Sequence, residues 1–168
     1  MASLIFLSAF PAALMIAAMT DLHDFKIPNW ISIVLIVAYF ATGVSLSAGL
    51  GPIVEGALLG CAVLAVGFAL FAVKFFGGGD AKLLAASAPW IGLAGLAEYL
   101  MIMAIAGGVL AVFLLAFRKS PPLPVYAHAP WLLRMHQNQH ELPYGVAIAF
   151  AGVYCFAETP FFKLAFGG

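Results

Sequence analysis

The sequence predicts an all-α integral membrane protein, a bundle of about six transmembrane helices. Composition is the first observation: 65% of the residues are hydrophobic, 8% are charged, and the mean hydropathy is +1.11, far outside the range of soluble domains. The second is that the apolar residues form long runs separated by charges, prolines and glycines. The length of 168 residues allows about six spans of roughly 20 residues, so we expect residues 1–168 to form one transmembrane domain.

Charges and turn residues set the limits of the predicted spans. The first run follows no basic residue and leads directly to Asp21 and His23, so we interpret it as a retained span and not as a signal peptide. The segment 120–131 is too rich in proline for a span, and a short interfacial helix is predicted directly after it at Trp131, Leu132, Leu133 and Met135. The predicted spans cover residues 3–20, 29–47, 52–73, 82–97, 99–117 and 143–157.

The basic residues predict the orientation of the bundle, because Lys and Arg near span ends are retained in the cytoplasm. If the predicted spans alternate in direction, Lys163 is the only basic residue on one of the two membrane faces. Adding or removing one span would scatter the other basic residues over both faces. We therefore predict as cytoplasmic the face that carries Lys26, Lys74, Lys82, Arg118, Lys119 and Arg134.

Two carboxylates on this predicted cytoplasmic face are candidates for a functional site. Asp21 ends the first apolar run, and Asp80 lies between two apolar runs. An acid in such a position is costly unless it does chemistry or carries an ion. Two acids at one site indicate catalysis by paired aspartates, because one carboxylate can activate water while its protonated partner holds the substrate carbonyl.

Backbone-shaping residues accompany both acids. Pro28 stops the first span from continuing as a helix, and Asn29 opens the second. The residues before Asp80 are expected to allow positive φ angles and a close approach of an extended substrate backbone; they are Gly77, Gly78 and Gly79. Lys82 follows two residues after Asp80 and is a candidate either for stabilising negative charge or for anchoring at lipid headgroups.

Taken together, these residues resemble the prepilin peptidase family, the Gly-x-Gly-Asp membrane aspartyl proteases. The resemblance rests on Asp21 followed by Ile27-Pro28-Asn29, and on the later run Gly77-Gly78-Gly79-Asp80-Ala81-Lys82-Leu83. The segment Pro143-Tyr144-Gly145, at the start of the last predicted span, is similar to the closing motif of the family. The resemblance covers nearly the whole chain and is specific because both aspartate motifs are present.

The resemblance implies that Asp21 and Asp80 are the catalytic aspartates, and that the surrounding motif residues shape the site or bind substrate. It implies removal of the leader from type IV prepilins or pseudopilins at the cytoplasmic face of the bacterial inner membrane. The small size is similar to the minimal form that serves tight-adherence, or Flp-type, pilus systems. The cysteine-rich insert of larger relatives is absent between the first two spans, so methyltransferase activity is not expected. Asp24 is interpreted as a solvated neighbour of Asp21.

The remaining expectations concern cofactors and partners. The proposed chemistry requires no metal or other cofactor, and a net charge of zero argues against nucleic acid as a partner. The pattern Gly56-Ala57-Leu58-Leu59-Gly60 predicts helix packing within the bundle ahead of dimerisation, although the sequence leaves a homo-oligomer open. A proton- or cation-coupled transporter that uses the same aspartates is the alternative function.

Overall fold

The structure is a computed structural model that describes residues 2–121, 130–137 and 141–167. The described residues are almost entirely helical and contain no strand, as the sequence predicts. In chain order the helices are α1 (Ala2–Asp24), α2 (Asn29–Ser45), α3 (Leu50–Ala72), α4 (Gly78–Lys119), α5 (Pro130–Gln137), α6 (Gly145–Tyr154), a 3₁₀ helix (Cys155–Glu158) and α7 (Pro160–Phe166).

Four helical segments of the described chain are long and apolar enough to cross a membrane: Ser3–Asp24, Leu50–Ala72, Gly78–Lys119 and Gly145–Phe166. The shorter α2, with 17 residues, is also apolar. The 42 residues of α4 would extend about 63 Å at 1.5 Å per residue, roughly twice the thickness of the hydrocarbon core. This helix therefore corresponds to two of the predicted spans.

The boundary between those two spans was predicted at Glu98, and this prediction was wrong. The helical backbone is interrupted at Gly92, where φ is 75° and ψ is 164°. Glycine tolerates this left-handed region because it lacks a Cβ, and Pro160 of α7 packs against the break, with its Cγ 3.1 Å from the position of a Cβ on Gly92. The side chain of Glu98 is exposed on the second half of α4, so its charge does not require the helix to end.

The first half of α4 is the centre of the bundle. It is almost completely buried from Leu83 to Ile91, and α4 packs against α2, α3 and α6. Trp90, which is fully buried, stacks on Phe10 of α1 at a ring-centroid distance of 5.0 Å, and its indole N–H donates to the carbonyl oxygen of Leu35 at 3.1 Å. These contacts fix α4 relative to α1 and α2.

Small residues allow α3 to pack closely against α4, as the glycine pattern predicts. A Cβ on Gly60 would lie 2.9 Å from the Cγ of Pro89 and 3.1 Å from the carbonyl oxygen of Ala85. A Cβ on Gly56 would lie 3.2 Å from the carbonyl oxygen of Pro89 and would also collide with the Tyr39 hydroxyl group of α2. Packing within the bundle therefore explains the pattern without a second copy of the chain.

A short helix, α5, is present where the interfacial helix is predicted. Its Met135 is buried, and the guanidinium Nε of Arg118, at the end of α4, donates to the Met135 carbonyl oxygen at 3.1 Å. A proline-rich segment precedes α5. Its residues 122–129 lie outside the described residues, and they include Pro122 and Pro124.

Candidate active site

A cavity of about 1290 Å³ lies where several helices end or begin. Its walls come from the end of α1 and the start of α2, from the end of α3 and the start of α4, and from the segment that precedes α6. The predicted site residues that line it are Asp21, Pro28, Asn29, Gly77, Gly78, Gly79, Asp80, Lys82 and Tyr144. Residues distant in sequence thus meet at one end of the bundle.

Asp21 lies in the last turn of α1 and is only 5% exposed. One of its carboxylate oxygens accepts a hydrogen bond of 2.7 Å from the backbone N–H of Gly145, the first residue of α6. The N-terminus of a helix carries unpaired N–H groups and a partial positive charge, so it stabilises a carboxylate placed there. Gly145 is therefore the direct partner of Asp21, across 124 residues of sequence.

Only glycine fits at position 145 in this arrangement. A Cβ there would lie 2.8 Å from the carboxylate Oδ2 of Asp21 and 2.8 Å from the Cδ1 of Ile27. Both distances are shorter than real Cβ contacts. The last residue of the predicted Pro143-Tyr144-Gly145 motif is thus required by the closeness of α6 to Asp21.

Asp80 lies in the first turn of α4, half-buried at the wall of the same cavity. The negative charge of Asp21 acts on it, so the two carboxylates are near enough to influence each other. Asp80 also benefits from its position close to the positive end of the α4 dipole. The structure therefore brings the two predicted aspartates to one site.

The glycines before Asp80 provide space without side chains, as expected, but they do not adopt the expected positive φ angles. None of the three adopts a positive φ angle, and Gly77, the N-cap of α4, has extended backbone with φ −70° and ψ 140°. Their importance is space. A Cβ on Gly77 would collide with the Asp80 carboxylate, one on Gly78 would lie 3.2 Å from the Phe71 ring, and one on Gly79 would contact Ile27 at 3.4 Å.

The residues Pro28, Asn29 and Lys82 connect α2 to α4 beside the acids. Pro28 is the N-cap of α2 with an extended backbone, φ −61° and ψ 137°, as expected for a residue that ends one helix and starts another. Its neighbour Asn29 accepts a hydrogen bond of 3.1 Å on its side-chain oxygen from the ammonium group of Lys82. Lys82 therefore lies in the wall of the cavity, bonded to the first residue of α2.

Tyr144 closes the cavity on the α6 side. Its ring lies edge-on to Phe76 at a centroid distance of 5.6 Å, and a Cβ on Gly107, in the second half of α4, would overlap the tyrosine ring. Burial, aided by the negative charge of Asp80, raises the pKa of Tyr144, so the hydroxyl group keeps its proton. Pro143 beside it is fully buried and holds this segment against the bundle.

Asp24 is exposed and does not line the cavity, as predicted for a solvated neighbour of the pair. Its carboxylate forms an ion pair of 3.2 Å with Arg134 of α5, and both side chains are more than half exposed. Arg118 also donates to the Glu141 carbonyl oxygen at 2.6 Å. These contacts hold α5 and the segment before α6 beside the cavity.

Sequence reasoning missed several residues of the cavity wall. Phe25 and Lys74 line it with positive φ angles of 52° and 60°, at the ends of α1 and α3. Phe71 contributes an exposed apolar wall, and Glu141 lies close enough for its charge to act on Asp21. A helix end followed by a charged or aromatic residue is too common a pattern to single these residues out.

One family model matches this chain. It is that of the type IV leader peptidase family, and the match extends over residues 8–112, well over half of the chain. The matched region includes both Asp21 and Asp80 but ends before the Gly145 segment. Comparisons with curated proteins and with solved structures gave no match.

Proposed function

The chain belongs to the type IV leader peptidase family, and on that premise we propose that it is a membrane-embedded aspartyl endopeptidase with Asp21 and Asp80 as its catalytic residues. Its proposed substrates are type IV prepilins or pseudopilins, of the Flp type, from which it removes the leader. The observation that carries the proposal is that both carboxylates line one cavity at one end of the bundle.

The proposed roles follow from the contacts of the two acids. A backbone N–H at the start of α6 donates to Asp21, and a charge-assisted bond of this kind stabilises the ionised carboxylate. Asp21 is therefore the general base, which takes a proton from the attacking water. Asp80 holds the shared proton and donates a hydrogen bond to the oxygen of the scissile carbonyl.

The bonds and protons balance without another reactant. Water oxygen bonds to the carbonyl carbon, Asp21 receives the water proton, and Asp80 protonates the carbonyl oxygen to give a neutral tetrahedral intermediate. When the C–N bond breaks, Asp21 gives its proton to the leaving amine, and the hydroxyl proton returns to Asp80. The acid pair then again holds one proton, ready for the next substrate.

The size and position of the cavity support a peptide substrate. Small-molecule pockets are typically about 300–1000 Å³, and the 1290 Å³ cavity is larger, with space for several residues of an extended chain. Both acids lie at helix ends and not midway along a span. A site at the membrane surface suits a leader that is itself outside the hydrocarbon core.

The basic residues support a cytoplasmic orientation of the site. Lys26, Lys74 and Lys82 line the cavity, and Arg134 is paired with Asp24 beside it. Since basic residues concentrate on the cytoplasmic side of membrane proteins, we place the active site at the cytoplasmic face of the bacterial inner membrane.

The test is co-expression with a candidate prepilin, followed by mass measurement of its new amino terminus. Asp21→Asn and Asp80→Asn should each abolish leader removal while the protein stays at its normal level in the membrane. Asp24→Asn is the matched control, because it removes a neighbouring carboxylate outside the pair. Unchanged cleavage in either of the first two variants would remove that residue from the active site. An aspartate-dependent ion flux in vesicles without proteolysis would instead establish the transporter alternative.

A further inference from the structure

The tyrosine in the wall of the active-site cavity differs from the two tyrosines buried in the bundle. The hydroxyl groups of those two are used inside the protein. Tyr39 donates to two carbonyl oxygens of α3 at 3.2 Å each, and the Tyr99 hydroxyl group lies 2.8 Å from the Oγ of Ser87. Tyr144, which is half-buried, has no such bond in the described part of the chain.

The hydroxyl group of Tyr144 is also not enclosed by the protein. Among the described residues, the Oγ of Ser32 is the only fully buried side-chain nitrogen or oxygen atom that lacks a hydrogen-bond partner. The Tyr144 hydroxyl group, which is likewise without a partner there, is therefore accessible, and the residue lines the cavity that holds the two acids. A phenol hydroxyl group in this state can donate a hydrogen bond to a bound molecule.

The ring of Tyr144 is held firmly although its hydroxyl group is not bonded. One side packs edge-on against Phe76 at 5.6 Å, and the hydroxyl oxygen passes within 2.9 Å of the position of a Cβ on Gly107. The backbone is fixed as well, because its N–H donates to the Leu142 carbonyl oxygen at 2.8 Å and its own carbonyl oxygen accepts from two N–H groups of α6. A donor held in this way loses little freedom when it binds a substrate.

Tyr144 is placed beside both aspartates. The next residue, Gly145, donates its backbone N–H to Asp21 at 2.7 Å, and the Tyr144 side chain is near enough to Asp80 for the charge of that carboxylate to act on it. In the proposed reaction Asp80 holds the oxygen of the scissile carbonyl. A second donor on the same side of the cavity can therefore reach that oxygen.

We propose that Tyr144 is a third catalytic residue, whose hydroxyl group donates a hydrogen bond to the oxygen of the scissile carbonyl together with Asp80. The inference rests on the proposed function and adds a residue to its site. The bond strengthens as negative charge develops on the oxygen, and an interaction that is stronger in the transition state than in the bound substrate accelerates the reaction. The phenol keeps its own proton throughout, so the proton transfers between water, the two acids and the leaving amine are unchanged.

The substitution Tyr144→Phe tests this role, because it removes the hydroxyl group and keeps the ring against Phe76. In steady-state assays of leader removal in detergent, kcat should fall about 10- to 100-fold, since the loss of a single donor to such an oxygen commonly costs about 100-fold or more and Asp80 remains. KM and the thermal unfolding midpoint should stay close to those of the unmodified protein. Tyr154→Phe is the matched control, because Tyr154 is exposed at the far end of α6.

A second variant separates donation from packing. Replacement of Tyr144 with 3,5-difluorotyrosine keeps the shape of the ring but lowers the pKa of the phenol, and a phenolate cannot donate. The alkaline decline of kcat should therefore begin at a lower pH than in the unmodified protein, whereas activity on the acidic side of the profile should be retained. The same replacement at Tyr154 should leave the pH profile unchanged.

The other outcomes overturn the role of Tyr144. Normal kcat in Tyr144→Phe, or an alkaline limb that fluorination does not move, would leave the residue a packing element of the cavity wall. A loss confined to KM would make it a binding residue without a part in the chemical step. Absence of leader removal by the unmodified protein is a separate result, which refutes the proposed function itself and this role with it.

Discussion

The substitution Gly145→Ala tests the link between α6 and Asp21. The added Cβ would lie 2.8 Å from the Asp21 carboxylate Oδ2, 2.8 Å from the Ile27 Cδ1 and 3.2 Å from the Asp21 Cβ. The two closest atoms are side-chain ends, so either the Asp21 carboxylate and the Ile27 side chain rotate away or the start of α6 shifts. In both cases the 2.7 Å bond from the Gly145 N–H to Asp21 is lost or lengthened.

The size of the effect follows from the lost hydrogen bond and from the overpacking that the added Cβ causes. A hydrogen bond to a charged group contributes about 1.5–3 kcal/mol, and overpacking of a tight site costs about 1–3 kcal/mol. The free energy of unfolding should therefore fall by roughly 2.5–6 kcal/mol. Cleavage should fall about 100-fold or more, because a displacement on the order of 1 Å at a catalytic group has an effect of this size.

Two measurements separate the structural effect from the catalytic effect: leader removal from a co-expressed precursor, and the thermal unfolding midpoint in detergent. Gly108→Ala is the matched control, since no other group lies within 4 Å of a Cβ at that helical position. It should leave cleavage unchanged and should stabilise the helix by about 0.5–1 kcal/mol. A Gly145→Ala variant with normal cleavage and a normal midpoint would refute the proposed contact.

Three further substitutions test other parts of the structure. Asp24→Asn should change the free energy of unfolding by less than about 0.5 kcal/mol, because it breaks only an exposed ion pair, and a large drop in the unfolding midpoint would contradict the fold at α5. A double-mutant cycle of Lys82→Met and Asn29→Ala should give a coupling of about 0.5–1 kcal/mol in unfolding experiments, and additive effects would show that their 3.1 Å bond contributes nothing. Gly92→Ala should destabilise by about 1–3 kcal/mol in the same assay, because its φ of 75° strains any side chain; a midpoint as high as that of Gly108→Ala would argue against the break in α4.

Local signals in the sequence were sufficient for much of the fold. Proline at position 28 marks the change from α1 to α2, and the helices end and begin within a few residues of the prediction, at Asp24 and Asn29. The alternation of spans predicted that Asp21 and Asp80 share one face, and both line the same cavity. These predictions succeed because proline restricts the backbone of its immediate neighbours, and because charged residues mark the ends of apolar spans.

The features that could not be predicted from the sequence depend on contacts between segments that are distant along the chain. The break at Gly92 is held by Pro160, and no local pattern distinguishes that glycine from the others in the chain. The charge of Glu98 is a stronger local signal for a boundary between two spans, but the boundary does not lie there. The bond between Asp21 and Gly145 joins residues 124 positions apart, so only the assembled bundle reveals which group faces the acid.

The direction of the helices explains why glycines surround both acids. α2, α4 and α6 all begin at the cavity, so the positive ends of their dipoles meet there and favour negative charge. At Gly145 a first-turn N–H reaches the Asp21 carboxylate because no side chain stands between them, and at Gly77 a side chain would collide with the Asp80 carboxylate. The glycine motifs and the aspartate motifs are therefore two parts of one requirement: close approach of helix N-termini to a pair of acids.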